Sequence, residues 1–183
     1  MKDKIEQMKL KGYEFEDGLT DEEIKEIEER YNIKFPKSLI EFYKIALPVS
    51  EGFVNWRKTS EENIQSIKER LARPYDEIFW SMEENDFWVD GWDKPDSLEE
   101  KKKKFIEEMK EEPTPIPIYI HRCILSKEGI DDPAVLSMKG SDIIVYGNNL
   151  EEYLDNEFIN TQEKHERNYS DSMGKWVDIM ESY

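Results

Sequence analysis

The chain has 183 residues and 21.9 kDa, with 12% aromatic residues including five Trp, enough for one domain with a substantial core. Asp and Glu number 43 against 26 Lys and Arg, a formal net charge of −17, which repels phosphate backbones and anionic lipid and favours a basic protein partner instead. One cysteine excludes an intrachain disulfide scaffold. The first residues lack the apolar stretch of a signal peptide and no run reaches membrane-spanning length, so the expected location is the cytoplasm.

"GLTDEEIKEIEERYNI" predicts the first strong helix. Thr20 and Glu23 have capping-box spacing, Leu19 and Ile24 the spacing of a hydrophobic staple, and Ile24, Ile27 and Tyr31 share a face. Pro36 suits the start of a second helix, whose Leu39, Ile40, Phe42, Tyr43, Ile45 and Leu47 make it apolar most of the way round and therefore buried. Residues 53–57, "FVNWR", read as a short strand. Residues 60–84 read as one or two helices interrupted at Pro74, and "DSLEEKKKKFIEEMKEE" as a surface helix capped by Ser97 and Glu100, with Leu98, Phe105, Ile106 and Met109 as its apolar stripe.

After Pro113 the pattern changes to strands. "IPIYIHRCIL" reads as one strand, and "PAVLSM" and "DIIVYG" as a hairpin closed by "KGS". A final amphipathic helix follows, capped by Asn148 with Glu151 and burying Leu150, Tyr153, Leu154 and Phe158. A polar tail then ends in "KWVDIMESY", a short packed helix. Helices followed by clustered strands define an α+β domain with a mostly antiparallel sheet.

The chemistry-bearing candidates are few. On a single strand, alternation places His121 and Cys123 on one face with Tyr119 and Leu125, and Arg122 on the other with Ile118, Ile120 and Ile124. A zinc site needs about four ligands at recognisable spacing, whereas the chain has two His, the second being His165, and one Cys. A cysteine nucleophile needs a base, an orienting group and an oxyanion site, and a cysteine between arginine and isoleucine on a strand is an inert small hydrophobe. Arg122, if buried, requires an acid partner. No phosphate-binding glycine motif is present. The expectation is no metal, no cofactor and no catalytic residue. Residues 83–100, "EENDFWVDGWDKPDSLEE", combine acids with aromatics, a composition suited to protein binding. Glu83, Glu84, Asp86, Trp88, Asp90, Trp92 and Asp93 are the candidate partner-binding residues, with burial of both tryptophans in the core as the competing expectation.

In serial order, "GLTDEEIKEIEERYNIKFPKSLIEFYKIALP", "PIPIYIHRCILS" and "PAVLSMKGSDIIVYGNNLEEYLDNEF" resemble the SUKH superfamily, in the branch related to a fungal cell-wall-synthesis regulator. "FWVDGW" with "KPDSLEE" also looks like bacterial members of that branch. The resemblance runs over about residues 12–158, giving a domain over 1–158 and a polar extension over 159–183; the segment from about 58 to 86 is longer than the pattern leads one to expect. It implies helices packed on a curved, mainly antiparallel sheet in a single domain. It further implies a non-catalytic immunity protein that binds and neutralises a cognate toxin of a polymorphic toxin system, often a nuclease; a regulatory scaffold for signalling or cell-wall-synthesis partners is the alternative. Nuclease toxins carry cationic grooves for phosphate, which an acidic protein can occupy.

Overall fold

The structure is a computed structural model, and it describes residues 1–160 and 171–183; His165 lies outside the described residues. Two antiparallel sheets and the surrounding helices form the expected α+β domain. Helix α1 (Lys2–Leu10) and strand β1 (Phe15–Asp17) precede the first predicted element. In α1 only Ile5 and Met8 are buried among charged neighbours, a stripe too narrow to stand out in the sequence.

Helix α2 (Asp21–Tyr31) starts as its sequence dictates. The Thr20 Oγ1 accepts from the Glu23 N–H at 3.1 Å, and Glu23 Oε2 accepts from the Thr20 N–H at 2.8 Å. Two otherwise orphaned donors are satisfied, and Leu19 and Ile24 are both buried beside them. Helix α3 (Lys37–Ile45) follows extended Pro36 and runs straight into β2 (Ala46–Pro48), which pairs with β1, so Leu47 belongs to this strand rather than to the helix. Residues 53–57 form no strand; Phe53 makes one isolated bridge to Tyr119. Trp56 turns inward there, its Nε1 donating to the Tyr43 hydroxyl at 3.0 Å.

Helix α4 (Glu61–Asn85) is continuous through Pro74, contrary to the expected interruption. A proline inside a helix costs about 3 kcal/mol, but Ile67, Pro74, Ile78 and Met82 are all buried along one side, and that burial holds the helix across the missing hydrogen bond. Helix α5 (Leu98–Met109) has its Ser97 cap, with Ser97 Oγ accepting from the Glu100 N–H at 3.3 Å. Its stripe differs from the predicted one: Ile106 is 57% exposed, while Lys101 is buried along its aliphatic stem.

The larger sheet is a meander of β3 (Thr114–Tyr119), β4 (Arg122–Ser126), β5 (Val135–Lys139) and β6 (Asp142–Gly147). "IPIYIHRCIL" is therefore a hairpin rather than one strand: Tyr119 pairs with Arg122 across the turn residues Ile120 and His121. The β5–β6 hairpin closes at Gly140–Ser141 as expected. Both faces of the sheet are covered. Ile116, Ile118, Ile124 and Val135 join one hydrophobic cluster with α1, α2 and α3. Cys123, Leu125, Leu136 and Met138 join a second with α5 and with α7 (Trp176–Glu181). Helix α4 reaches both clusters, Ile67 entering the first and Ile78 the second.

Helix α6 (Leu150–Leu154) continues as a π-helical turn over Asp155–Ile159. Its cap is Asn149, one residue beyond the predicted Asn148, with Asn149 Oδ1 accepting from the Glu152 N–H at 2.8 Å. Leu150, Tyr153, Leu154 and Phe158 are buried as expected. Trp176 of α7 is fully buried, and its Nε1 donates to the Pro113 carbonyl at 2.7 Å, fixing the closing helix to the entry of β3.

Candidate partner-binding surface

The acid-and-aromatic stretch after α4 is divided by the fold into a surface and an anchor. Trp88 is buried, with its Nε1 donating to the Trp92 carbonyl at 3.0 Å. Trp92 is half-buried, packs edge-on to Trp88, and its Nε1 donates to Asp178 Oδ2 at 3.3 Å on α7. Trp88 belongs to the second hydrophobic cluster and Trp92 packs against it, so the two rings hold the loop down. Glu83, Glu84, Asp86, Asp90 and Asp93 are all exposed, but their charges are not equally free. Asp86 accepts from Lys101 and from Lys94, and these two lysines hold its carboxyl down at about 2. Glu83 lies 3.5 Å from Lys102. Glu84, Asp90 and Asp93 make no ion pair among the described residues.

The exposed aromatic of this region is Trp80, which composition alone did not single out. The buried side of α4 runs through Ile67, Leu71, Pro74, Ile78 and Met82 at steps of three or four, and Trp80 sits about 200° round the helix from Ile78. It is 59% exposed. That spacing was readable in the sequence and is the signal that identifies it. On the same side of the helix, Asp76 and Glu84 stand four residues away and Glu77 three. A concavity of about 450 Å³ opens beside the ring; its lining includes Glu77, Trp80, Asp142 and Tyr183, together with Lys139 and Gly140 of the β5–β6 hairpin. Its floor is fixed by the β5–β6 turn, where the Gly140 N–H donates to Glu77 Oε2 at 2.8 Å. Gly140 is at φ 62°, and a Cβ there would meet the Ser81 hydroxyl at 3.0 Å, so glycine lets the turn lie against the helix. A flat exposed ring, a shallow pocket and unneutralised carboxylates together suit a cationic protein partner.

The reactive-looking trio is placed for structure. Cys123 is fully buried, and burial pushes its thiol up to about 12, leaving it protonated and shielded. His121 is not its neighbour on a strand face but a turn residue, and its Nε2 accepts from the Arg122 guanidinium. Burial, then the Arg122 charge, pushes the His121 pKa down, which keeps the ring neutral. Arg122 does find the acid that burial demands, Glu157, and its guanidinium lies 3.9 Å over the Tyr146 ring. Among the described residues no group of three or more His, Cys, Asp or Glu side chains is placed to hold a metal ion, and no helix is long and apolar enough to cross a membrane.

Residues 18–156 match the model of the SMI1 / KNR4 family (SUKH-1). The chain belongs to the SMI1 / KNR4 family. No curated protein and no solved structure matches it. The SUKH-1 segment starts just before the capping box of α2 and ends in the turn after α6, so it includes α4 with Trp80, Glu84 and the β5–β6 turn. Helices α1 and α7 lie outside it, yet both place fully buried residues in the core, Met8 and Trp176. Tyr183, at the edge of the concavity, also lies outside the SUKH-1 segment.

Proposed function

We propose that this SUKH-1 protein is a non-catalytic immunity protein that acts in the cytoplasm, binding and neutralising a cognate protein toxin with a basic surface. The observation that carries the reading is the family match over residues 18–156. The surface described above supports it. Trp80 supplies a large rigid anchor of the kind that dominates binding energies, Glu84 supplies exposed charge beside it, and Asp90 and Asp93 add exposed charge in the loop after α4. The net charge of −17 would speed encounter with a cationic partner. A nuclease toxin fits this chemistry, because its phosphate-binding groove is cationic. Binding alone accounts for inhibition when the groove is covered.

The test is co-expression with the toxin domain encoded beside this chain's gene. Protection of the cells, a 1:1 complex in solution, and loss of both in Trp80→Ala support the proposal. A stable chain that neither binds nor protects would overturn it. Recovery of signalling or cell-wall-synthesis proteins in an affinity pull-down, with no toxin domain present, would replace it with the scaffold reading.

A further inference from the structure

The β3–β4 turn holds an unusual residue. Ile120 sits at φ 49°, in the left-handed region. For a β-branched residue this conformation costs on the order of 1–3 kcal/mol, and hairpin turns place glycine, asparagine or aspartate where φ is positive. The strain is not offset by burial, since the Ile120 side chain is 47% exposed. The surrounding backbone imposes it. The Gly52 carbonyl accepts from the Ile120 N–H at 2.9 Å and from Arg70 Nη1 at 2.9 Å, while the His121 carbonyl accepts from the Met138 N–H at 2.9 Å. Gly52 is at φ 96°, and a Cβ there would stand 2.5 Å from the Tyr119 ring. A fixed, strained and outward-facing isoleucine is a costly arrangement for a turn with no contact to make.

A concavity of about 380 Å³ adjoins it, lined by Glu51, Gly52, Arg70, Arg73, Tyr119 and Ile120. Arg70 and Arg73 are three residues apart on α4 and so share a side of the helix. In a chain with 43 acidic residues, neither guanidinium forms an ion pair among the described residues. Arg57 and Arg122 differ: they are tied to Glu23 and to Glu157. Glu51, on the lining of the same notch, pairs with neither, and two further acids are committed elsewhere. Glu77, one turn beyond Arg73, takes the Gly140 N–H, and Glu69 accepts from Gln65. Burial, and then the Arg73 charge, pushes the Arg70 pKa down, as expected of a partly desolvated cation without a counterion.

We propose that this notch docks an extended protein segment in which an acidic residue adjoins an apolar one. The carboxylate takes hydrogen bonds from the Arg70–Arg73 pair, and the apolar side chain packs on Ile120. A guanidinium fork matches the planar geometry of a carboxylate, two of them line this notch, and the exposed isoleucine gives the segment a direction. Arg73 lies two helical turns, roughly 10 Å, from Trp80 along α4, so one partner can reach both places. The proposal does not rest on the toxin reading, because it specifies only the chemistry of the segment.

The test is an amide and arginine-Nε NMR titration of the isotope-labelled full chain with the blocked tetrapeptide Ala-Leu-Glu-Leu. Its Ala-Leu-Gln-Leu counterpart and inorganic phosphate serve as controls. The expected result is saturable shifts at Gly52, Arg70, Arg73, Ile120 and His121 with the Glu peptide only. Arg73→Gln is expected to weaken binding at least tenfold with no change in Tm. Ile120→Gly is expected to weaken it at least fivefold with Tm unchanged or raised, since glycine relieves the strain. Absence of shifts at millimolar Glu peptide, or equal shifts with the Gln peptide, overturns the proposal. Equal shifts with phosphate overturn it in favour of a general anion notch.

Discussion

The Nε of Arg122 on β4 donates to a carboxylate oxygen of Glu157 at 2.9 Å, and the two side chains are only 11% and 18% exposed. Arg122 also donates to the Ser137 hydroxyl at 3.0 Å and lies over Tyr146, so the pair ties the sheet to the π-helical turn after α6. Removing one member of a buried pair leaves an uncompensated charge, which costs about 3 kcal/mol or more. Glu157→Ala should therefore lower stability by about that amount. Replacing both residues, as in Arg122→Met with Glu157→Met, should recover most of the loss, because no charge is then left buried. Urea midpoints of the single and double variants check this; a double variant as unstable as the sum of the singles would count against it.

The three tryptophans around the candidate surface should separate cleanly. Trp88→Ala empties a buried site and should cost about 3–5 kcal/mol. Trp80→Ala removes a mostly exposed ring and should change stability by no more than about 0.5 kcal/mol. Only Trp80→Ala should weaken binding of the proposed partner while leaving the fold intact, by about 2 kcal/mol, near thirtyfold in Kd. Trp92, bonded to Asp178, should fall between them in stability. Thermal denaturation paired with titration calorimetry distinguishes the outcomes.

Cys123 should be invisible to thiol reagents in the native state. Its sulfur is buried between the sheet and the second hydrophobic cluster, and the thiol is pushed up to about 12 by that burial. Labelling by an aromatic disulfide should track unfolding and accelerate with urea in step with it. Cys123→Ser should lose about 2 kcal/mol, the cost of placing a hydroxyl in an apolar site without a partner, with partner binding unchanged at concentrations where the variant is folded.

The elements legible in the sequence were those specified by neighbours in the chain. Thr20 with Glu23, Ser97 with Glu100, and the Gly140–Ser141 turn are local devices and appear where their spacing placed them. The misread elements depend on residues far away. Ile120–His121 has no turn chemistry; the chain reverses there because Gly52 and Met138 hold both turn residues. Pro74 fails to end α4 because its neighbours at three- and four-residue steps bury against both clusters. Composition flagged the acids after α4 and left open whether Trp88 and Trp92 face solvent or the core; the choice is made by contacts such as Trp92 with Asp178 of α7, more than eighty residues later. The same reasoning applied to helical spacing singles out Trp80, so the surface was partly readable and the anchor within it was overlooked.

The stability of the protein should fall on the acid side in two stages. His121 has a lowered pKa in the folded state, chiefly through burial and then through Arg122. The unfolded chain therefore binds more protons than the native one once the pH drops below the ordinary histidine value near 6.5, and stability falls from there as pH falls. Glu23, lowered chiefly by its hydrogen bond to Arg57, and Asp86, held down chiefly by Lys101, act later. Their contribution is complete above about pH 5 and is lost as pH falls through their lowered native values. On the alkaline side Tyr43 and Tyr153, raised by burial, keep their protons while the unfolded chain loses them, so stability falls above about pH 10. His121→Gln retains an acceptor for Arg122 but cannot titrate. Its urea midpoint should be flatter than that of the parent between pH 7 and 5 and should decline in parallel with it below pH 4. Equal slopes in the upper window would show that the histidine does not titrate against folding.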